Sequence, residues 1–394
     1  MLRRLTLGLF TLACAAAIAA CSSGNTTVPT SGGQPGYGPN FSTGTLYVSN
    51  TTQNTIEIYT PAPASSATPQ YAIGGTNTTL NGPTYMAFDS AKRLYVSNAS
   101  ASTGISSILV FQTYATGNVL PFGTVSLAPN AVPHGIAMIP NGGFVVAQTL
   151  AGGFFTNALN IYSPFTTGAS FITATIAGSN TGLNNPVGVA VDSKTKIYAA
   201  NSGNGTITVY ATPSAAPTPS GSPTPTPSPT PTPTATPSGA PSVSPSPTPT
   251  PVSNNVAPIE TIACTPAGAM PSPCMTKPTG LTLDGSGNVY VTDPDTGAAP
   301  AIYIFTAAQV ACGTPPCGTL SLTPSRFISG SNTKLVYPTD VAVDAAGNIY
   351  VVDAGNGPNT SMLLIYPATA SGNVAPASAI ALPAGTSTGL ALSP

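Results

Sequence analysis

The stretch Tyr337-Pro338-Thr339-Asp340-Val341-Ala342-Val343-Asp344-Ala345-Ala346-Gly347-Asn348-Ile349-Tyr350-Val351-Val352-Asp353 contains two apolar runs on either side of a Gly-Asn turn. That arrangement reads as a β-hairpin. The hairpin recurs with fixed internal spacing. Pro83, Asp89 and Tyr95 are six residues apart, as are Pro186, Asp192 and Tyr198, Pro278, Asp284 and Tyr290, and Pro338, Asp344 and Tyr350. A further copy keeps Pro133 and carries Ile139 and Val145 at the other two places. Three residues beyond each copy stands Asn98, Gln148, Asn201, Asp293 or Asp353. The chain is therefore expected to be a repeat protein.

After each hairpin comes a third apolar run ending in an aromatic residue: Ile56 to Tyr59, Ile108 to Phe111, Leu159 to Tyr162, Ile207 to Tyr210, Ile302 to Phe305 and Leu363 to Tyr366. A less regular fourth run follows, as in Pro69 to Gly74, Val119 to Val125, Ala257 to Ala263 and Ala375 to Ala381. Four short antiparallel strands in a unit of about fifty residues make a propeller blade. The expected fold is all-β: a six-bladed β-propeller of four-stranded blades spanning residues 44–394. The first unit begins at Leu46-Tyr47-Val48-Ser49-Asn50 with no Pro-led strand before it, and Ser387 to Ser393 matches that missing strand. Joining the two closes the ring and removes two sheet edges.

Composition supports strands over helices. Charged residues are 5% of the chain and hydrophobic residues 41%, with only Glu57 and Glu260 as glutamates and with 40 Gly and 44 Pro. Surface helices are built from the Glu and Lys that are scarce here. A formal net charge of −1 offers no electrostatic hold on nucleic acid. From Pro213 to Val252 the chain is dominated by Pro, Thr and Ser. This insertion favours extended polyproline II, cannot bury a core, and falls within the fourth blade before its outer strand.

The N-terminus reads as an export signal over residues 1–20: Arg3 and Arg4 precede an apolar run that ends at Ala20. Ile18-Ala19-Ala20-Cys21 resembles the lipobox of bacterial lipoproteins. The resemblance implies acylation of Cys21, membrane attachment through it, and a flexible tether over residues 21–43. Ser22 after the cysteine points to the outer membrane or cell surface in that family. Cys264, Cys274, Cys312 and Cys317 remain in the exported part, where disulfides are favoured. Of the three possible pairings the local ones, Cys264–Cys274 and Cys312–Cys317, are preferred. A four-thiolate metal site fits their spacing poorly.

Pro278 to Asp293 looks like an NHL repeat, and Leu46 to Tyr59 is similar to the YVTN repeats of surface-layer propellers. Such propellers host lactonases, lyases and plain binding modules, so the resemblance implies a fold and not an activity. In these families the Pro-led strand lines a central channel. Two residues after the Pro place stand Gly135, Gly188, Gly280 and Gly389, while Tyr85 and Asp340 break the rule. Tyr85, His134, Thr279, Thr339 and Asp340 are thus the candidate ligand-binding residues at the channel mouth. The sharper reading, a catalytic or metal site on His134 and Asp340, lacks ligands. Related lyases use histidines absent here, and gluconolactonase-like propellers hold a divalent ion with inner-strand Glu, Asn and Asp. No catalytic residue, metal or cofactor is therefore assigned. The repeated Asp89, Asp192, Asp284 and Asp344 are expected to accept hydrogen bonds from turn N–H groups. Asp293 to Gly297 is read as an Asx turn rather than a calcium loop. The resulting expectation is a monomeric binding or scaffold module for a neutral cell-surface protein or glycan, with a lactonase- or lyase-like enzyme as the alternative.

Overall fold

The computed structural model of the chain describes residues 41–99, 106–150, 157–165, 170–213, 252–268, 274–294 and 299–394. The export signal, Cys21, nearly all of the tether, residues 214–251 of the insertion and Asp295 to Gly297 lie outside the described residues.

The strands form six antiparallel blades around a channel. The second runs Pro83–Phe88, Leu94–Asn98, Ser107–Phe111 and Gly123–Ser126 from the channel outward. The sixth runs Pro338–Val343, Ile349–Asp353, Met362–Tyr366 and Ser378–Ala381. The first blade is completed as the sequence implies: Ser387–Leu392 is its innermost strand and pairs antiparallel with Leu46–Asn50, placing Leu390 opposite Val48.

The six-residue spacing of Asp and Tyr has a direct cause. The turn aspartate accepts from backbone N–H groups across the turn, as Asp344 Oδ1 does from Ala346 and Asn348. Its other oxygen receives the tyrosine hydroxyl, at 3.1 Å in Asp344–Tyr350, 3.2 Å in Asp284–Tyr290 and 3.3 Å in Asp89–Tyr95. The tyrosine ring then faces the next blade. Alternate residues of a strand point to opposite sides, so Leu94 and Val96 pack toward the first blade while Tyr95 packs toward the third.

The hydrophobic interior is consequently six clusters, one in each seam between blades. Each seam receives a third-strand aromatic from the following blade; Phe111, Tyr162 and Tyr366 are examples. Burying one such side chain contributes about 1.5–3 kcal/mol.

Two blades hold a fifth strand that the repeat did not announce. After the insertion, Val252–Asn254 first pairs parallel with the third blade's outer strand, Ile172–Ala177. Only then does Glu260–Cys264 complete the fourth blade. Thr319–Leu322 likewise pairs parallel with Glu260–Cys264 before Arg326–Ser329 closes the fifth blade. Both local disulfides, Cys264–Cys274 and Cys312–Cys317, are formed, and the four-thiolate alternative falls.

Three seams share a latch that was not recognised in the sequence. In Gly75-Thr76-Asn77-Thr78, Gly178-Ser179-Asn180-Thr181 and Gly330-Ser331-Asn332-Thr333, the glycine is left-handed, with φ of 110°, 120° and 121°. The Asn77, Asn180 and Asn332 N–H groups donate to Oδ1 of Asn118, Asn255 and Asn373 at 2.7, 2.9 and 2.7 Å. Those acceptors lie in Gly117-Asn118-Val119, Asn254-Asn255-Val256 and Gly372-Asn373-Val374 of the following blade.

Candidate functional site

The channel is lined by the innermost strands, whose free edges face inward. Two residues past the Pro place, neighbouring strands meet backbone to backbone. A Cβ on Gly389 would lie 1.9 Å from Thr84 O, one on Gly188 2.2 Å from Thr279 O, and one on Gly135 2.5 Å from Val187 O. On Gly280 it would lie 2.5 Å from Asp340 Cα. The glycines are there because no side chain fits.

Tyr85 and Asp340 escape this constraint in different ways. Asp340 sits in the seam between the sixth blade and the closing strand. Its Oδ1 accepts from Val341 N–H at 2.9 Å and its Oδ2 from Leu390 N–H at 2.9 Å. Burial raises the carboxyl to about 7, and these two hydrogen bonds hold it lower than burial alone would. The Tyr85 hydroxyl donates to Thr339 O at 3.4 Å, so the ring spans from the second blade to the sixth. Its ionisation is pushed up by burial first, then by the charges of Asp340 and Tyr337. The two side chains border a channel cavity of about 300 Å³ whose remaining walls are Gly, Ala, Met and aliphatic residues with Phe88 and Thr282.

The other three candidates are drawn out of the channel. The Thr279 hydroxyl lies 3.1 Å from Thr292 Oγ1 and 3.2 Å from Pro338 O, inside the seam between the fifth and sixth blades. The Thr339 hydroxyl donates to Val352 O at 3.2 Å within its own blade. His134 bonds through Nε2 to Thr149 Oγ1 at 3.0 Å on the adjacent strand. Burial lowers that imidazole to about 4, so it is neutral at pH 7. Of the five, the structure brings Tyr85 and Asp340 together at the channel and not the rest.

Sequence reasoning missed the hydroxyls one residue before the strand-ending Asn. Ser49 Oγ donates to Thr84 O and Ser97 Oγ to His134 O, each at 2.6 Å, tying one blade to the next. Their recurrence at the same repeat position was the available signal. The glutamates stand away from the channel on strands Thr55–Tyr59 and Glu260–Cys264. Glu57 accepts from Asn50 Nδ2 at 3.3 Å through one oxygen, and the Glu260 carboxylate has no hydrogen-bond partner among the described residues. Among the described residues, no group of three or more His, Cys, Asp and Glu side chains converges as a metal site would require.

Chemically, the channel offers a phenol, a backbone-bound carboxyl and unpaired strand edges. These can donate to and accept from a ligand. Among the described residues they form no nucleophile–base pair at hydrogen-bonding distance.

The sequence matches no protein-family model and no curated protein. Among solved structures, the fold is similar to a protein of unknown function from Bacteroides caccae, at 8% identity and a TM-score of 0.53. That match covers 89% of this chain and 99% of the other. A putative 6-phosphogluconolactonase from Bacteroides fragilis is similar at 11% identity and a TM-score of 0.48, covering 88% of this chain and 83% of that one. Virginiamycin B lyase from Staphylococcus aureus is similar at 13% identity and a TM-score of 0.43, covering 84% and 87%. This chain is a six-bladed β-propeller. At such identities the likeness carries the fold alone.

Proposed function

We propose that this propeller is an extracytoplasmic, lipid-anchored binding or scaffold module that holds a neutral surface partner, protein or glycan, without catalysing a reaction. The observation that carries this reading is the state of Asp340. It is the carboxylate of the channel lining, and both its oxygens are already engaged by backbone N–H groups, one of them Leu390 of the closing strand. Such a group fixes structure and is poorly placed to shuttle protons. The scarcity of charge leaves hydrogen bonding and apolar contact as the means of recognition. The lipobox-like Ile18 to Cys21 supports the anchor, and the likeness of Leu46 to Tyr59 to surface-layer repeats supports an envelope setting.

One observation favours the enzymatic alternative: a carboxyl raised to about 7 in a channel has the acidity that a general acid–base needs. The test is partner capture from envelope fractions by the purified protein, run beside hydrolysis of simple lactones, with Tyr85→Ala and Asp340→Asn compared with the parent. Capture weakened by Tyr85→Ala, with no turnover, is the expected result. Lactone turnover that is lost in Asp340→Asn, while the melting temperature holds, would overturn the binding reading.

A further inference from the structure

Each innermost strand runs from its Pro place to the turn that follows it, so the ring has a Pro end and a turn end. The chain enters at the turn end. Leu46 stands opposite Leu392, the last residue of the closing strand, and Gly44 N–H donates to Ser393 O at 2.9 Å. Just upstream, Phe41 packs edge-on against Tyr71 of the first blade and Tyr114 of the second, with ring centroids 5.3 and 5.9 Å apart. Phe41, where the described part begins, therefore lies against the loop that joins Ser107–Phe111 to Gly123–Ser126.

That loop differs from its counterparts in what it turns outward. Gly117-Asn118-Val119-Leu120-Pro121-Phe122 has the form of Asn254-Asn255-Val256-Ala257-Pro258-Ile259 and of Gly372-Asn373-Val374-Ala375-Pro376-Ala377. Where the counterparts carry Ala257 and Ala375, it carries Leu120, which is 73% exposed. Where they carry Ile259 and Ala377, it carries Phe122, 41% exposed. The sixth blade builds the same loop with alanine at both places, so the fold does not require this bulk. The patch continues into the third blade. The Phe122 ring lies 5.9 Å from that of Phe165, and Phe171, 43% exposed, is held by a hydrogen bond from Ser163 N–H to its carbonyl at 2.9 Å. Contiguous exposed apolar groups of this kind mark interaction surfaces.

The outward charge beside the patch is of one sign. Between Ile58 and Val191 the charged residues are Asp89, Lys92 and Arg93. Asp89 is buried, and its oxygens are taken by Arg93 and Tyr95. The Arg93 guanidinium lies 5.9 Å from the Phe122 and Phe165 rings, and Thr113 Oγ1 donates to Ala91 O at 2.8 Å, holding the loop beside Lys92. Apolar side chains flanked by cations, with no carboxylate turned outward, suit a layer of lipid phosphates over hydrocarbon.

We propose that the turn end of blades one to three is a membrane-docking face, with Leu120 and Phe122 entering the lipid headgroup layer and Lys92 and Arg93 at its phosphates. The proposal rests on the reading of Cys21 as a lipid anchor. Nineteen residues, Ser22 to Asn40, separate Cys21 from Phe41 and span at most about 70 Å. An anchored chain thereby presents the patch to the bilayer at an effective concentration of about 1 mM or more, so a contact too weak to recruit a free domain is enough to orient a tethered one. The Pro end, with Tyr85 and Asp340 near it, then opens away from the bilayer toward a partner.

The chain contains no tryptophan, so one introduced on the patch reports its own surroundings. The chain from Cys21 onward, carrying Phe122→Trp, is coupled through the Cys21 thiol to a maleimide lipid in vesicles of phosphatidylcholine and phosphatidylglycerol; its other four cysteines are held in disulfides. Relative to the uncoupled chain, the emission should shift to the blue and be quenched by lipids brominated in their acyl chains, as expected of a side chain about 5–10 Å into the interface. Both effects should be lost when Leu120→Asp is added at unchanged melting temperature. Val336→Trp, at an exposed position of the Pro end, should show neither. Emission from Phe122→Trp that is as unshifted and unquenched as that from Val336→Trp overturns the proposal. A blue shift that grows with protein concentration in lipid-free solution also overturns it, since the occupant is then a second copy, as does a shift that needs added envelope protein in place of lipid. Coupling replaces acylation, so failure here leaves the anchor reading standing; that reading falls separately if Cys21→Ser leaves membrane fractionation in cells unchanged.

Discussion

The seams joining blades one to two, three to four and five to six are built alike, and the other three are each built differently. In the like seams an asparagine Oδ1 from the even blade caps a left-handed Gly-x-Asn-Thr turn of the odd blade. In two of them a tyrosine from the even blade, Tyr210 or Tyr366, also bonds the turn carbonyl of Thr181 or Thr333. Of the unlike seams, one is covered by Thr319–Leu322, one holds the closing strand, and one rests on Phe165 and the Arg93 hydrogen bond to its carbonyl. The structural repeat is therefore a blade, but the repeat of interactions is a pair of blades. The latch recurs within each pair, even where Val252–Asn254 adds a strand to one of them.

That contrast can be broken most severely at the closing seam. Removing residues 385–394 deletes Ser387–Leu392, takes Leu390 out of the seam and strips Leu46 and Val48 of its cover. Several side chains at about 1.5–3 kcal/mol each are then exposed, so the cooperative calorimetric transition should vanish. An unchanged transition would refute closure by this strand.

Within the same seam, Gly389→Ala should cost about 3 kcal/mol, because its Cβ would strike Thr84 O. Gly285→Ala, with nothing within 4 Å, is the matched control and should stay within about 0.5 kcal/mol in urea melts.

The first blade's face toward the sixth also carries an electrostatic strain. Glu57 is raised from 4.5 to about 7 by burial, with the Asn50 hydrogen bond opposing. A carboxyl raised on folding favours the folded state at low pH. Its penalty grows between about 4.5 and 7 and is then constant. Glu57→Gln should accordingly stabilise the protein by up to about 3 kcal/mol at pH 8 and change little at pH 4. Equal effects of the variant at both pH values in denaturant titrations would show that the carboxyl is not strained.

The smallest effect belongs to the latch. Asn118→Ala and Asn373→Ala should each cost about 1 kcal/mol, the worth of one hydrogen bond, as a matched lowering of the urea midpoint. Unequal losses would argue that the paired seams are alike in geometry but not in energy.

The hairpins were legible because their interactions are local: Asp344 and Tyr350 meet within six residues, and period-2 alternation places the ring. The latch was not, because its partners are 41 residues apart in two seams and 75 in the third. Gly, Asn and Thr also occur in any turn. At the channel, Tyr85 and Asp340 stood out as exceptions to a glycine rule. What the sequence could not disclose was the register shift that follows Pro83, Pro133, Pro186 and Pro338, as between Pro338 and Asp340 or Pro133 and Ile136. Such a bulge re-aims side chains, and it accompanies the turning of Thr339 and His134 into the blades.

Leu46–Asn50 is hydrogen-bonded on one side to Ser387–Leu392 and on the other to Thr55–Tyr59. Any pull on the chain upstream of it therefore enters the molecule through a strand clasped on both flanks. Force along that strand would load the two ladders together, in shear, instead of opening them one bond at a time. The joint that completes the circle is also the grip by which the protein can be hauled without unravelling.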